Sequence, residues 1–231
     1  MSVVGIILAR SDSSRLPGKV LTDLGGGRCM LDLVRDRAAR SAGLTGLALA
    51  TSDRPCDDAL AAHARDPLGL PVYRGDLEDV AGRALACARA REAEWFVRIN
   101  GDSPFVDAAL LDQGIRLAIQ TGADLVTNVL ERTYPYGIAV EIFRTDRYQR
   151  AISGFDAFER EHIARHYYQR PDQYHIVSLP PSPDPALADV RLTVDDPEDL
   201  QRVREIVRRL GDQADQAGYL RVAELAREVQ G

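Results

Sequence analysis

The chain predicts an α/β fold, a mostly parallel sheet covered by helices on both faces with a small antiparallel excursion around residues 130–180. Three observations carry this expectation. Short apolar runs alternate with stretches of helical periodicity through the first half of the chain, as in a parallel sheet whose strands are joined by crossover helices. The first run, Val3 to Leu8, is apolar throughout, which suits a strand buried on both faces, and it switches abruptly into Ser, Arg, Pro, Gly and Lys. After Asn128 the alternation of elements breaks, and Thr133 to Phe143 alternates residue by residue like an antiparallel strand.

Taken in order, the first run leads into an exposed loop, and the turn Gly25-Gly26-Gly27 then precedes a helix from Met30 to about Ser41 whose inner side is Met30, Leu33, Val34 and Ala38. A second strand, Leu44 to Ala50, ends in Thr51-Ser52-Asp53. Pro55 to Arg65 reads as a short helix, Pro71-Val72-Tyr73 as a third strand, and Asp79 to Arg91 as an Ala-rich helix. Trp95 to Ile99 is a fourth strand that stops at Asn100-Gly101-Asp102-Ser103-Pro104. Leu111, Ile115, Ala118 and Ile119 mark the next helix face, and Asp124 to Thr127 a fifth strand. Beyond the break, Phe158 to Gln169 reads as a helix, Tyr174 to Leu179 as a strand, and Asp189 to Val194 as a last strand running into Asp195-Asp196-Pro197. Leu200, Val203, Ile206, Val207 and Leu210 give the clearest helical stripe, with Pro197 in its first turn.

At 231 residues the chain is long enough for one substantial core, and no linker divides it, so a single domain over 1–231 is expected. With 45% hydrophobic and 28% charged residues, neither disorder nor a fibrous architecture is indicated. A net charge of −6 argues against general nucleic-acid binding and leaves room for a local basic pocket. Cys29, Cys56 and Cys87 lie far apart, which suggests neither a disulfide framework nor a zinc knuckle but buried or half-buried thiols. The opening apolar run is too short to span a membrane and lacks the basic start of a signal peptide, so a cytoplasmic protein without membrane contact is expected.

The loop Leu8 to Lys19 reads as a phosphate-handling loop. Arg10, Arg15 and Lys19 supply positive charge, and Ser11, Ser13, Ser14 and the Gly18 backbone supply hydrogen-bond donors suited to a polyphosphate. It is not a Walker loop, since position 13 is Ser where that loop has Gly and Val20 follows the Lys where Ser or Thr belongs. The later glycine run lacks the third Gly of the dinucleotide fingerprint. Two acidic sites also follow strands, Asp102 and Asp195-Asp196. Each acid alone reads as a cap or turn residue, but if the three loops meet at the carboxyl edge of one sheet, the acids face a phosphate cradle and can hold Mg²⁺ against a nucleotide.

These motifs carry a resemblance. Ala9-Arg10-x-x-Ser13-Ser14-Arg15-Leu16-Pro17-Gly18-Lys19, then Asn100-Gly101-Asp102-Ser103-Pro104, then Val194-Asp195-Asp196-Pro197-Glu198-Asp199-Leu200 resembles the cytidylyltransferase family that activates acidic sugars, including the N-acylneuraminate and ketodeoxyoctulosonate enzymes. Ala50-Thr51-Ser52-Asp53, Tyr73-Arg74-Gly75, Thr133-Tyr134-Pro135-x-Gly137 with Val140-Glu141, and Arg160-Glu161-His162 bring the chain nearer the branch of the spore-coat polysaccharide biosynthesis protein F. The likeness runs from Val3 to about Leu210. It implies a nucleotide-diphospho-sugar-transferase-like, Rossmann-like architecture and transfer of CMP from CTP to a small acidic acceptor, an acidic sugar, another polysaccharide precursor or a phosphonate. It further implies that Arg10, Arg15 and Lys19 hold the triphosphate and stabilise the departing pyrophosphate. Asp102 and Asp195 would bind Mg²⁺. Leu8, Ala9, Ser52, Asp53, Arg74, Asn100 and Gly101 would surround the base and ribose, although Leu8 stands where the branch has Gln and Asn100 where Thr is common.

Asp196 is the candidate base for a hydroxyl acceptor. Tyr136, Glu141, Glu161 and His162 are candidates for the acceptor wall, while Tyr134 and Tyr136 serve equally well as packing or a subunit contact. His162 and His166, four apart, are not a zincin pair, because Ile163 stands where Glu is required. The resemblance also implies a homodimer, through the region Tyr134 to Phe143. The rival readings are a glycosyltransferase on the same sheet architecture, a transferase using UTP or GTP, and a nucleotide-binding regulatory subunit. Asp102-Ser103-Pro104 lacks the Asp-x-Asp spacing of the first, and retention of all three cations with the paired acids speaks against the last.

Overall fold

A computed structural model of the chain describes every residue except Ser14 and Gly231. Its centre is a seven-stranded sheet in the order β3-β2-β1-β4-β6-β5-β7. The strands are β1 (Val3–Leu8), β2 (Gly46–Ser52), β3 (Val72–Gly75), β4 (Trp95–Asn100), β5 (Leu125–Thr127), β6 (Glu141–Arg144) and β7 (Ile176–Ser178). Only β6 runs against its neighbours, pairing antiparallel with β4 (Phe96 opposite Phe143) and with β5 (Val126 opposite Ile142). All other pairs are parallel.

Alternation along the central strands feeds two apolar layers. On one face Val3, Ile7, Leu49, Val97 and Ile99 pack against helices α1 (Met30–Ala38), α2 (Asp58–Arg65), α4 (Ala108–Thr121), α8 (Pro197–Leu210) and α9 (Tyr219–Gln230). On the other, Val4, Ile6, Ala48, Ala50, Phe96 and Phe143 meet α3 (Val80–Ala90), α5 (Thr145–Ala151) and the residues around α6 (Ala157–Glu161) and α7 (Arg165–Gln169). Helix α9 was not anticipated, although Tyr219, Val222, Ala223, Leu225 and Ala226 are buried in the core. Arg37 ties it in from α1: the buried guanidinium donates to the carbonyls of Val106, Ala214 and Ala217, and burial pushes its pKa down to about 10. Among the described residues no helix is long and apolar enough to cross a membrane.

Three expected elements take another form. Of the segment Thr133 to Phe143 only Glu141 onward is sheet. The rest arches away, and Gly137, at φ +96°, lies so near the backbone of Leu192 and Thr193 that a Cβ would come within 3.1 Å. Asp189 to Val194 joins no sheet, and Asp189 closes a turn. Its one bridge is to Tyr136, whose N–H donates to Val190 and whose carbonyl accepts from Leu192. Phe158 to Gln169 is two helices broken at His162, which adopts φ −114° and ψ 76°. In a continuous helix residues seven apart stand roughly 10 Å apart along the axis. The break folds Glu159 and His166 together instead, at 2.8 Å. Cys29 and Cys87 are buried as expected, whereas Cys56 is exposed.

Candidate active site

The chain leaves β1 toward β2 on one side and returns to β4 on the other, so the order of the sheet reverses between β1 and β4. Strand carboxyl ends open a crevice at such a point. There the loops after β1 and β4 touch, with the Gly101 N–H donating to the Leu8 carbonyl at 2.9 Å. A Cβ on Gly101 would sit 2.6 Å from the Ala9 Cβ, so this approach requires glycine. The third loop is fastened by Val194, whose N–H donates to the Asp102 carbonyl at 2.9 Å. All three expected loops therefore converge, although the third leaves a segment that joins no sheet.

Lys19 lies at the convergence. Its ammonium is 3.0 Å from Asp102 Oδ2 and 3.6 Å from Asp195 Oδ1, and donates to the Val194 carbonyl at 2.6 Å. Arg15 approaches Asp195 at 2.9 Å, and Arg191 reaches its other oxygen at 3.8 Å. Arg10 stands 3.8 Å from Glu161. Two carboxylates within reach of one ammonium form a set of hard oxygen donors, which fits a Mg²⁺-type ion that takes one or two carboxylates and fills its remaining positions with phosphate oxygens and water. The cleft around them encloses about 430 Å³ and is lined by Leu8, Ala9 and Asn100 as well as the ionic groups. Glu161 and His162 line it too, delivered by the break between α6 and α7.

The cleft holds cations that sequence reasoning passed over. Arg83, inside the Ala-rich α3, is 4% exposed and bonds the carbonyls of Asp76 and Leu77. Burial, and then the nearby charge of Arg10, lowers its pKa, and its Nε has no hydrogen-bond partner among the described residues. Arg98, the one charge in the apolar strand β4, also lines the cleft, and the lone charge was the signal that could have found it.

Several expected ligands stand behind the wall. Ser52 is fully buried and donates to Asp57, whose other oxygen accepts from the Ser11 N–H at 2.6 Å. Burial raises the Asp57 pKa, but the bonds from Ser52 and Ser11 outweigh it and leave the carboxyl below its ordinary value. Arg74 clamps the same corner, bonding the carbonyls of Ser52 and Arg54 and pairing with Asp58 at 2.6 Å. The Asp53 N–H donates to Gly75. Ser52 thus reaches the loop after β1 through Asp57, and Ser52, Asp53 and Arg74 are not among the residues that line the cleft. Asp196 caps α8 through the Asp199 N–H. Ser14, an expected triphosphate ligand, lies outside the described residues.

A second pocket of about 170 Å³ adjoins the cleft, with Arg98 and Asn100 common to both. Tyr136 stands in its wall with the Arg132 guanidinium 3.6 Å from the ring centre, and Arg191 lies 5.2 Å from the same ring. Glu141 lines the pocket but is 2% exposed, pairing with Arg98 and accepting from the Tyr168 hydroxyl at 2.6 Å. Burial alone would lower the Arg98 pKa, but the charge of Glu141 overcomes it and raises it. Tyr134 is buried, bonding the Pro180 carbonyl, and Ile138, Val140, Ile142 and Phe143 are buried with it. The region expected to make a subunit contact thus spends most of its apolar surface inside this chain.

Comparison with known proteins agrees with this fold. The family model described as cytidylyltransferase matches residues 4–224. The spore coat polysaccharide biosynthesis protein SpsF of Bacillus subtilis is 34% identical over 220 residues, covering 92% of this chain and 89% of that protein. A cytidylyltransferase structure from Leptospira borgpetersenii superposes with a TM-score of 0.90 at 26% identity, covering 99% of this chain and 94% of that one. CMP:2-keto-3-deoxy-manno-octonic acid synthetase complexed with CTP shares the fold with a TM-score of 0.66 at 20% identity, over 90% of this chain and 99% of that one.

Proposed function

The chain belongs to the cytidylyltransferase family, and from that premise we propose that it joins CMP from CTP to a small anionic acceptor, an acidic sugar or a phosphonate, with release of pyrophosphate and with Mg²⁺ as its ion. The observation that carries this is the position of Lys19 between Asp102 and Asp195, beside Arg10 and Arg15 and next to a second pocket walled by Arg98 and Arg132. One compartment suits a triphosphate and the other an acid. Asp102 and Asp195 would hold the Mg²⁺, which when bound supplies charge neutralisation on the phosphates.

The acceptor oxygen attacks the α-phosphorus, the bond from that phosphorus to the bridging oxygen breaks, and pyrophosphate departs with the electron pair. Arg10, Arg15 and Lys19 orient the triphosphate and stabilise the charge that gathers on the leaving group. Arg83 adds positive potential from the α3 side. Leu8, Ala9 and Asn100 border the nucleoside. Arg132, with Tyr136, takes the acidic group of the acceptor, and Glu161 and His162 close the wall of the triphosphate compartment. A phosphonate oxygen arrives ionised and needs no base, whereas a sugar hydroxyl gives up its proton as it attacks, and Asp196, which also caps α8, is the candidate to take it. The reading includes a cytoplasmic homodimer acting in glycan or related biosynthesis, and gel filtration giving a monomer at working concentration would count against the dimer.

The deciding experiment measures pyrophosphate release from each ribonucleoside triphosphate with Mg²⁺ and a panel of acidic sugars and phosphonates. CTP-selective release that depends on one acceptor supports the proposal and identifies the acceptor. Release that selects another triphosphate, or calorimetry that finds no CTP binding, would overturn it.

A further inference from the structure

Away from the cleft, three metal-ligating side chains converge from two helices. Cys29 caps the start of α1, Asp32 is the third residue of that helix, and His63 lies in the last turn of α2. Their ligand atoms all lie within 4.8 Å of one another. His63 Nε2 is 2.7 Å from Asp32 Oδ1 and 3.4 Å from Cys29 Sγ, so one ring nitrogen faces two groups and can offer at most one hydrogen to the pair. We propose that Cys29, Asp32 and His63 form a binding site for a thiophilic divalent cation, zinc by preference, with water as the fourth ligand.

The donor set and its spacing suit zinc. Thiolate, imidazole and carboxylate are its protein ligands, and bonds of about 2.0–2.3 Å at tetrahedral angles place sulfur and nitrogen about 3.5 Å apart. The Cys29–His63 separation of 3.4 Å already matches. Asp32 Oδ1 would retreat by roughly 0.6 Å to make room. Its other oxygen accepts from the Cys29 N–H at 2.7 Å, the kind of outer bond that orients a ligating carboxylate. The loop before the site is closed by the bridge between Asp23 and Cys29, and Arg28 is held by Asp36 and Asp215, so the backbone carrying the cysteine is braced. The His63 ring is reachable, its side chain being 31% exposed.

Binding replaces the thiol proton by the metal, one proton leaving for each ion bound, and one thiolate with one carboxylate balances the dication. The ion would join α1 to α2. That second helix begins beside Asp57, which holds the Ser11 N–H of the phosphate loop, so the site braces the cleft from behind without entering it.

The test uses the metal-free full chain and Co²⁺ as a spectroscopic probe. One equivalent should give the visible bands of tetrahedral cobalt together with a thiolate-to-cobalt charge-transfer band, bleached by one equivalent of Zn²⁺. Cys29→Ser and His63→Gln should each lose the charge-transfer band, while Asp102→Ala keeps it, which separates this site from the oxygen donors of the cleft. Zinc at a hundredfold excess over its Kd should raise the Tm of the unsubstituted protein by roughly 5–10 °C and leave that of His63→Gln unmoved. Cobalt binding without a thiolate band, a band that survives in Cys29→Ser, or an equal Tm shift in His63→Gln would overturn the assignment.

Discussion

Around the loops after β1 and β4 the ionic groups meet in an open cleft, whereas where β4 meets β6 the carboxylate of the pair is sealed in. Arg15 and Asp195 pair with the arginine side chain 63% exposed, while Arg98 pairs with a Glu141 that is 2% exposed and bonded again by Tyr168. On the proposed reading, the contrast separates charges available to a ligand from charges kept for the fold. An exposed pair is worth little to stability and can exchange partners when phosphate arrives, but a buried pair is costly to break. Removal of one partner should therefore affect activity on the first side and folding on the second.

The largest effect expected is on turnover. Asp102→Ala and Asp195→Ala should each lower pyrophosphate release by roughly a thousandfold or more. Lys19 keeps one carboxylate in either variant, so the urea midpoint should hardly move. Full activity in either variant would remove the assigned role, and loss of activity accompanied by unfolding would erase the distinction between the two sides. Arg98→Met should do the reverse, costing about 3–5 kcal/mol of stability because Glu141 is left charged and buried. Pairing it with Glu141→Leu should recover most of that loss, since an apolar pair leaves no orphaned charge; a double variant no more stable than the single one would refute the account.

The same division explains what was legible in the sequence. The parallel half announced itself because its strands are continuous apolar runs ended by loops rich in Gly, Pro and charge. Its cleft could be assembled in advance from Arg10, Arg15, Lys19, Asp102 and Asp195. The second half depends on contacts distant in sequence. Tyr136 binds the segment around Arg191, and Glu159 binds His166 across a broken helix, so local alternation suggested a long strand and a continuous helix that tertiary bonds replaced. Arg83 was hidden for a similar reason: nothing in an Ala-rich helix says which side faces a cleft. Ser52 and Arg74 carry motif resemblance, yet Ser52 is buried against Asp57 and Arg74 pairs with Asp58, placements that only packing reveals.

A smaller effect tests the open side without touching a charge. Gly101→Ala places a methyl group 2.6 Å from the Ala9 Cβ and must push the loops after β1 and β4 apart. The expected cost is about 1–3 kcal/mol, as for other overpacked sites. Because Leu8, Ala9 and Asn100 line the cleft and are proposed to border the nucleoside, it should appear in part as weaker CTP binding by calorimetry. An unchanged Kd would mean that the loop junction does not set the nucleotide site.

An effect read from pH dependence, and not from a single condition, belongs to Glu159. Its carboxylate is 1% exposed, bonded to His166 at 2.8 Å and to Arg170 at 2.5 Å. Burial pushes its pKa up, but the bonds from His166 and Arg170 prevail and hold it down at about 2. A carboxyl whose folded pKa lies below its ordinary value of about 4.3 stabilises the native state above that value and loses the contribution as pH falls toward the folded one. The unsubstituted protein should therefore shed stability between about pH 4.5 and pH 2, while Glu159→Gln, which is less stable at neutral pH, should follow a flatter profile and converge with it in acid. Urea midpoints taken across that range compare the two. Parallel profiles would show that Glu159 does not clamp the break between α6 and α7 by its charge, and that the bend delivering Glu161 and His162 to the cleft is held by packing of Ile163, Ala164 and Tyr167 against the core.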